Sequence, residues 1–176
     1  RIVMWCLMNS PLMLGLDLRR VEKGDWIYNI IANDKLIALN QDSLGIQSKR
    51  IFTTFKANED DLWYTSQNQN NPGPDKAYIT NHERIDVLAK PLSDGSIALS
   101  FLNLNDQTWD GTVSVDKNLI IGMIGSKMVD ADAFAAADTF KVIDLWTGSE
   151  SVNTTGIFEV THLDACDNVT IKIMSV

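Results

Sequence analysis

The sequence has few cysteines, few histidines and no long hydrophobic run. Cys6 and Cys166 are the two cysteines, and they stand near opposite ends of the chain. Two cysteines do not make a disulfide framework, and we expect both to be small buried residues. His82 and His162 have no cysteine or histidine at the spacing of zinc ligands, so no metal site is predicted. No segment approaches the roughly 18 apolar residues that a membrane helix needs.

Positive charge is also scarce. Lysine and arginine number 15 against 23 acidic residues, which gives a formal net charge of -8. Nucleic-acid binding requires clustered lysine and arginine for the phosphates, so nucleic acid is excluded as a partner. The chain carries no glycine-rich phosphate loop and no Gly-x-Ser-x-Gly nucleophile elbow. No cofactor is therefore predicted.

The chain opens with an α/β pattern. Residues 2–8 are apolar and predict the end of a buried helix, which Pro11 stops. Residues 12–16 form a short apolar run typical of a strand that is covered on both faces. Residues 22–39 have apolar side chains at helical spacing, and Asn33 and Asp34 predict a break between two short helices.

Short β-type runs follow from residue 47 onward. Asp94 and Gly95 predict a tight hairpin turn, and the Ala-rich residues 130–138 predict one or two helical turns on a connection. Residues 64–76, rich in Asn, Gln and Pro, predict an exposed loop. Seven strands at this spacing predict an antiparallel sandwich; they are residues 50–55, 84–92, 96–104, 111–115, 140–146, 156–160 and 168–174.

Two motifs stand in the first third of the chain. The first is WCLMNSPLMLGLDLRRV, which carries Trp5, Pro11, Leu12, Asp17 and Arg19. The second is IIANDKLIALNQDSLGIQSKRI, which carries Asn33, Ile37, Ala38, Asn40, Gln41, Asp42, Leu44, Gly45 and Gln47. Through these residues and their spacing, both motifs resemble the closing segment of glycoside hydrolase family 27, the α-galactosidases. VLAKPLSDGSIALSFLN and DLWTG resemble the family's C-terminal β domain more weakly.

The resemblance implies a (β/α)8 barrel followed by an antiparallel sandwich. Residues 1–46 would be the terminal helix, strand and helix of the barrel, with its eighth strand at residues 12–16. Residues 47–176 would be the C-terminal β-sandwich domain. The predicted fold is therefore mainly β, an antiparallel Greek-key β-sandwich preceded by a short α/β remnant of a (β/α)8 barrel.

The resemblance also implies a retaining mechanism with two aspartates, whose carboxyl groups lie about 5 Å apart. Both aspartates belong to earlier barrel strands in the family, and no acidic residue of this chain stands in either motif. We therefore assign no catalytic, substrate-binding or metal residue here. The chain alone is expected to be inactive, as the C-terminal, supporting part of an enzyme that acts on terminal α-linked galactose in oligosaccharides.

Alternative parent substrates are α-N-acetylgalactosamine and β-L-arabinopyranose. A second class of function is a non-catalytic carbohydrate-binding sandwich, with Trp63, Tyr64 and Trp109 as an aromatic platform. A third is structural, in which the chain supports the missing barrel portion or forms a homo-oligomer. Under this structural hypothesis we expect residues 2–16 to be buried against the sandwich or against another copy, because exposed apolar surfaces drive association.

Several polar residues have a structural interpretation beside a functional one. Asp17 is expected to cap the following segment or to pair with Arg19 or Arg20 rather than to act in catalysis. Residues 40–42 are expected to end a helix and fix a loop, or to contact the sandwich.

Three further polar motifs carry no assigned function. Asp130, Asp132 and Asp138 lack the glycine and the final glutamate of a calcium loop. Residues 153–155 and 168–170 match the Asn-x-Thr glycosylation pattern, the second of them within a predicted strand.

Overall fold

The structure is a computed structural model, and it describes residues 2–54 and 84–176. The predicted loop at residues 64–76 lies outside the described residues, as do His82, Trp63 and Tyr64. The helices are α1 (Ile2–Leu7), α2 (Trp26–Ile31), α3 (Asp34–Asn40), α4 (Lys117–Ile124) and α5 (Ala131–Ala136), with 3-10 turns at Leu18–Arg20 and Gly125–Lys127. The strands are β1 (Lys49–Thr53), β2 (Ile85–Pro91), β3 (Ile97–Asn103), β4 (Trp109–Asp116), β5 (Phe140–Asp144), β6 (Glu150–Asn153), β7 (Ile157–Leu163) and β8 (Asn168–Ser175).

The strands form one large sheet and one small sheet. The large sheet has six strands in the order β1-β2-β3-β8-β5-β6, and the small sheet pairs β4 with β7. Every recorded pairing is antiparallel. The predicted mainly β fold is confirmed. The predicted hairpin turn is also present, because Gly95 has φ +83° and Leu92 N–H bonds to the Ser96 carbonyl at 2.9 Å.

The main core lies between the large sheet and a layer made of the small sheet with α4 and α5. Phe140 occupies its centre, with ring centroids 5.1 Å from Phe134 and 5.7 Å from Phe158. Helix α4 was not predicted from the sequence. Asp116 caps it by accepting a hydrogen bond from Leu119 N–H at 2.7 Å, and Ile120 and Ile124 project from one face into the core.

The opposite face of the large sheet is covered by helices α1 and α3. All seven residues of β2 and all seven of β3 are buried, as expected for strands covered on both faces. A second apolar cluster joins the two layers: Val3, Cys6, Leu7, Leu36 and Leu39 from the helices contact Leu88, Leu92, Ala98, Leu102 and Leu145 from the sandwich.

Three local predictions were wrong. Residues 12–16 form no strand, because no strand of the described chain lies beside them to supply the inter-strand hydrogen bonds. The short strand β6 was missed, since its sequence ESVN offers no run of alternating apolar residues. Cys166 is exposed in the turn between β7 and β8, whereas Cys6 is buried; both thiols are free.

The break between the two predicted helices is confirmed. Asn33 Oδ1 accepts from Lys35 N–H and Leu36 N–H, each at 3.0 Å, and so caps α3. Asp130 likewise accepts from Ala133 N–H at 2.9 Å at the start of α5. None of the helices in residues 2–54 and 84–176 is long and apolar enough to cross a membrane.

Candidate functional site

The structural feature with the most specific polar chemistry is the joint between residues 2–46, here called the helical segment, and the sandwich. Lys90 lies at its centre, near the end of β2, with a fully buried side chain. Its Nζ donates to Oδ1 of Asn9, which follows α1 and holds φ at +51°. Asparagine tolerates this left-handed conformation better than most residues. The helical segment thus supplies the acceptor for a buried ammonium group of the sandwich.

Burial shifts the pKa values of two side chains at the joint. It lowers the pKa of Lys90, while the nearby Asp42 and Cys6 raise it in part. Burial also raises the pKa of the Cys6 thiol to about 11, and the Lys90 charge lowers it in part. A thiol with a raised pKa is a poor nucleophile, because the thiolate is the reactive form. Cys6 therefore contributes packing to the joint rather than reactivity.

Two asparagines of the helical segment connect it internally and to the sandwich. Asn40 Nδ2 donates to the Ser10 carbonyl at 2.9 Å and to the Trp5 carbonyl at 3.2 Å. These bonds fix the chain that leaves α1 against the end of α3. Asn33 Nδ2 donates across the joint to the Leu145 carbonyl at 3.0 Å.

Asp42 makes a further direct polar contact across the joint. Its carboxylate accepts from the Ser93 N–H at 3.1 Å and from the Ser93 hydroxyl at 2.8 Å. It also accepts from Leu44 N–H at 3.0 Å and so fixes its own loop. Both expectations for residues 40–42 are therefore met: they fix a loop and they contact the sandwich.

A cleft of about 330 Å³ opens beside these contacts, between α3 and the end of the large sheet. Leu39, Leu92 and Leu145 contribute apolar lining, and charged side chains stand among the lining residues. Lys172 donates to Asp94 at 2.5 Å, and Lys35 bonds to Asp34 at 3.2 Å. Each of these two lysines therefore already has a carboxylate partner, and among the described lining residues no unpaired cation would select an anionic ligand.

A family comparison bears on the sandwich itself. A family model described as the α-galactosidase C-terminal β-sandwich domain matches residues 82–173.

The chain belongs to this family.

Relatives and solved structures extend the similarity to the helical segment. An α-galactosidase of Cyamopsis tetragonoloba is 37% identical over 59 residues, which are 34% of this chain and 13% of that protein. α-Galactosidase 1 of Saccharomyces cerevisiae is 22% identical over 143 residues, covering 81% of this chain and 25% of that protein. The solved structure of a Saccharomyces cerevisiae α-galactosidase with raffinose matches 99% of this chain and 42% of that one, with 14% identity and a TM-score of 0.66. The chain therefore spans less than half the length of each of these proteins.

In this member of the sandwich family, Asp17 has a structural environment. Its carboxylate accepts from the Arg19 side chain at two positions, each 2.9 Å away, and from the Arg19 backbone N–H at 3.2 Å. These bonds hold the pKa of Asp17 below its usual range, whereas a general acid needs a raised pKa. The side chain also lies 3.7 Å from Arg20. The expected cap and ion pairs are therefore confirmed.

The remaining candidate residues lie apart from the joint. Trp109 is half-buried and packs against the main core, so only part of its ring is available to a ligand. His162 is exposed and lies between Asp110, at 2.5 Å, and Asp164, at 3.2 Å. Within residues 2–54 and 84–176 no three acidic, histidine or cysteine side chains are placed to hold a metal ion.

The contact between Lys90 and Asn9 is the part of the joint that the sequence did not predict. Lys90 interrupts the apolar run VLAKPL, and a lysine flanked by apolar residues in a strand was the one available signal. Its acceptor Asn9 is 81 residues away in sequence, so no local pattern could pair the two. For Asp42 a contact with the sandwich was expected, but its partner Ser93, which is 51 residues away, was not identified.

Proposed function

We propose that this chain is the C-terminal part of a retaining glycoside hydrolase that acts on terminal α-linked galactose in oligosaccharides. In this proposal residues 1–46 complete a catalytic barrel and residues 47–176 form the supporting sandwich. The two catalytic aspartates are supplied by upstream sequence, so the chain alone is inactive. The family membership and the α-galactosidase relatives support the galactose assignment.

The observation that carries the supporting role is that the helical segment buries one side against the sandwich and exposes apolar side chains elsewhere. One side is buried against the sandwich through Leu7 and Leu36, which are at most 1% exposed. Elsewhere the segment exposes large apolar side chains: Met13 is 79% exposed, Leu18 57% and Trp26 73%. Half of the large apolar side chains that are exposed in the described chain lie in this segment, although it makes up less than a third of the described residues. Such surfaces mark interaction sites.

The predicted burial of residues 2–16 holds in part. One face of helix α1 is buried against the sandwich, but Trp5, Met13 and Leu14 remain exposed. In the proposed enzyme these residues are covered by the neighbouring barrel strands, which also give residues 12–16 the hydrogen-bond partners that a strand needs.

The test is to express the chain together with its upstream coding sequence and to assay hydrolysis of nitrophenyl α-galactoside. The α-N-acetylgalactosaminide and the β-L-arabinopyranoside are assayed in parallel, because these are the alternative substrates. We expect hydrolysis of the α-galactoside by the longer protein and none by residues 1–176 alone. If the longer protein hydrolysed none of the three, the proposal would be wrong.

A matched pair of variants of the longer protein tests the supporting role separately. Met13→Asp places a charge on the surface that we assign to the barrel contact, and it is expected to lower activity strongly. Val152→Asp is the control, because Val152 is 70% exposed on an edge strand of the sandwich, and it is expected to leave activity unchanged. Full activity of Met13→Asp would contradict the supporting role while leaving the substrate assignment intact.

A further inference from the structure

The turn between β6 and β7 carries one of the two Asn-x-Thr sequences, Asn153-Thr154-Thr155. Thr154 and Thr155 are exposed and Asn153 is half-buried at the end of an edge strand. A surface loop is the setting that N-linked glycosylation requires, because the glycan is bulky and hydrated.

The turn holds the asparagine and the threonine of this sequence close together. Asn153 Oδ1 accepts from Thr155 N–H at 3.1 Å and from Gly156 N–H at 2.9 Å, and the Thr155 hydroxyl lies 3.4 Å from the same oxygen. Gly156 takes φ +65°, which allows the chain to enter β7 directly after the turn. The acceptor side chain and the hydroxyl that defines the pattern are thus presented together.

The side-chain amide of Asn153 is compatible with substitution. Its Nδ2 donates to the Ile157 carbonyl at 2.8 Å, and a primary amide has two N–H groups. One N–H group can therefore keep this hydrogen bond while the other is replaced by a sugar.

The second Asn-x-Thr sequence, Asn168-Val169-Thr170, lies within a strand of the sheet rather than in a surface turn. Asn168 pairs with Leu102 at the start of the inner strand β8, and its Oδ1 accepts from Trp146 Nε1 at 2.9 Å and from the Thr170 hydroxyl at 2.8 Å. Thr170 is fully buried, and its hydroxyl also bonds to Ser100 at 2.8 Å. An enzyme could reach this sequence only by pulling β8 out of the sheet.

We propose that Asn153 is an acceptor for an N-linked glycan and that Asn168 in the folded chain is not. In the transfer, an Nδ2–H bond of Asn153 breaks and Nδ2 forms a bond to the anomeric carbon of an oligosaccharide carried on a lipid pyrophosphate. The bond from that carbon to the pyrophosphate oxygen breaks with its electron pair. The lipid pyrophosphate leaves, and the proton passes to a base of the transferase.

The location of Asn153 keeps such a glycan away from the joint. Gly148, just before β6, lies against the Lys35 side chain of α3. Asn153 is three strand residues beyond Glu150, about 10 Å further from the joint at roughly 3.3 Å per residue, and it pairs with Phe140 at the far end of β5. The glycan would therefore not interfere with the contacts of the helical segment.

The experiment uses the folded, unmodified chain, incubated with an oligosaccharyltransferase and a lipid-pyrophosphate oligosaccharide. Intact mass before and after peptide-N-glycosidase treatment counts the glycans. We expect one glycan on the wild type, one on Asn168→Gln and none on Asn153→Gln. Thr155→Val, which keeps Asn153 and the branched shape of residue 155, is also expected to carry none.

A urea-unfolded sample of the wild type, diluted into the reaction, distinguishes the effect of the sequence pattern on glycosylation from the effect of the fold. We expect a second glycan, at Asn168, to appear only in this sample. An unmodified folded wild type, or a glycan that persists on folded Asn153→Gln, would overturn the proposal. Circular dichroism of each variant before the reaction verifies that the folded samples are folded.

Discussion

The buried contact between Lys90 and Asn9 gives the sharpest energetic prediction for this molecule. Lys90 is fully buried, and its ammonium has Asn9 Oδ1 as its hydrogen-bond acceptor. Replacing Asn9 by glycine removes this acceptor but suits the backbone, because residue 9 has φ +51°. The backbone effect alone would therefore stabilise Asn9→Gly, whereas loss of the contact would destabilise it.

We expect the contact to dominate. Hydrogen bonds to charged groups contribute about 1.5–3 kcal/mol, and glycine at a left-handed position recovers only part of that. The free energy of unfolding of Asn9→Gly should fall by about 2 kcal/mol. Lys90→Met keeps an unbranched buried side chain but removes the ammonium group. The desolvation cost of that group disappears, whereas the Asn9 oxygen is left without a donor. These two effects should cancel to within about 1 kcal/mol of unfolding free energy.

The double variant distinguishes the contact from two independent effects. With both polar groups removed, neither is left buried without a partner, so Lys90→Met with Asn9→Gly should be at least as stable as Lys90→Met alone. Urea unfolding of the four proteins gives the coupling energy, which we expect to be about 2 kcal/mol. If Asn9→Gly shifted stability equally in both backgrounds, the contact would have no energetic role and the reasoning would fail.

A pH series provides an independent check on the same group. Burial lowers the pKa of Lys90 in the folded state, so the unfolded chain binds the proton more tightly. The contribution of Lys90 to stability should therefore rise with pH between the folded pKa and the unfolded value of about 10.4, and it should be independent of pH below the folded pKa, where both states carry the proton. Lys90→Met should lack this rise relative to wild type; parallel curves for the two proteins would contradict the burial of an ionisable amine.

Two further predictions concern the sandwich. Asp110 and Asp164 raise the pKa of His162. The stabilisation from these contacts should therefore be complete below the unfolded pKa of about 6.5 and disappear as pH rises through the folded pKa. The thermal midpoints of His162→Gln and wild type should converge with rising pH. A difference that stays constant with pH would count against the contacts. Phe140→Ala should lower the free energy of unfolding by about 3–5 kcal/mol, because it empties the centre of the main core. Val152→Ala, at an exposed position, should change it by less than about 0.5 kcal/mol in the same urea titrations, and a Phe140→Ala effect of that size would refute the assigned core.

β7 was predictable from sequence because one of its faces meets water, and β2 and β3 were predicted although both of their faces are covered. β7 alternates between exposed and buried residues over most of its length, and that alternation is visible in the sequence. β6 was not predictable because its few residues pair at a sheet edge and are mostly exposed. Helix α4 was missed because a run of apolar residues between strands does not distinguish a helix from a strand.

The joint could be predicted only in outline. The resemblance placed a helix–strand–helix segment before the sandwich, and Asn33 was correctly identified as the break between helices. A contact of residues 40–42 with the sandwich was expected, but its partner Ser93 and the whole contact between Lys90 and Asn9 could not be predicted, because each partner lies far away in sequence. The strand at residues 12–16 failed for a related reason, since local pattern indicates strand propensity but not the neighbour that a strand requires.

The burial of β2 and β3 on both faces affects how this domain should be delimited. The family model begins at residue 82, yet Leu88, Ala98 and Leu102 belong to a cluster completed by residues 3–39. A protein that began at residue 82 would expose the apolar face of β2 and β3 that the helices cover. The sandwich therefore depends on the helical segment to complete its second apolar cluster. A unit that keeps this cluster buried extends beyond residues 82–173, which the family model matches.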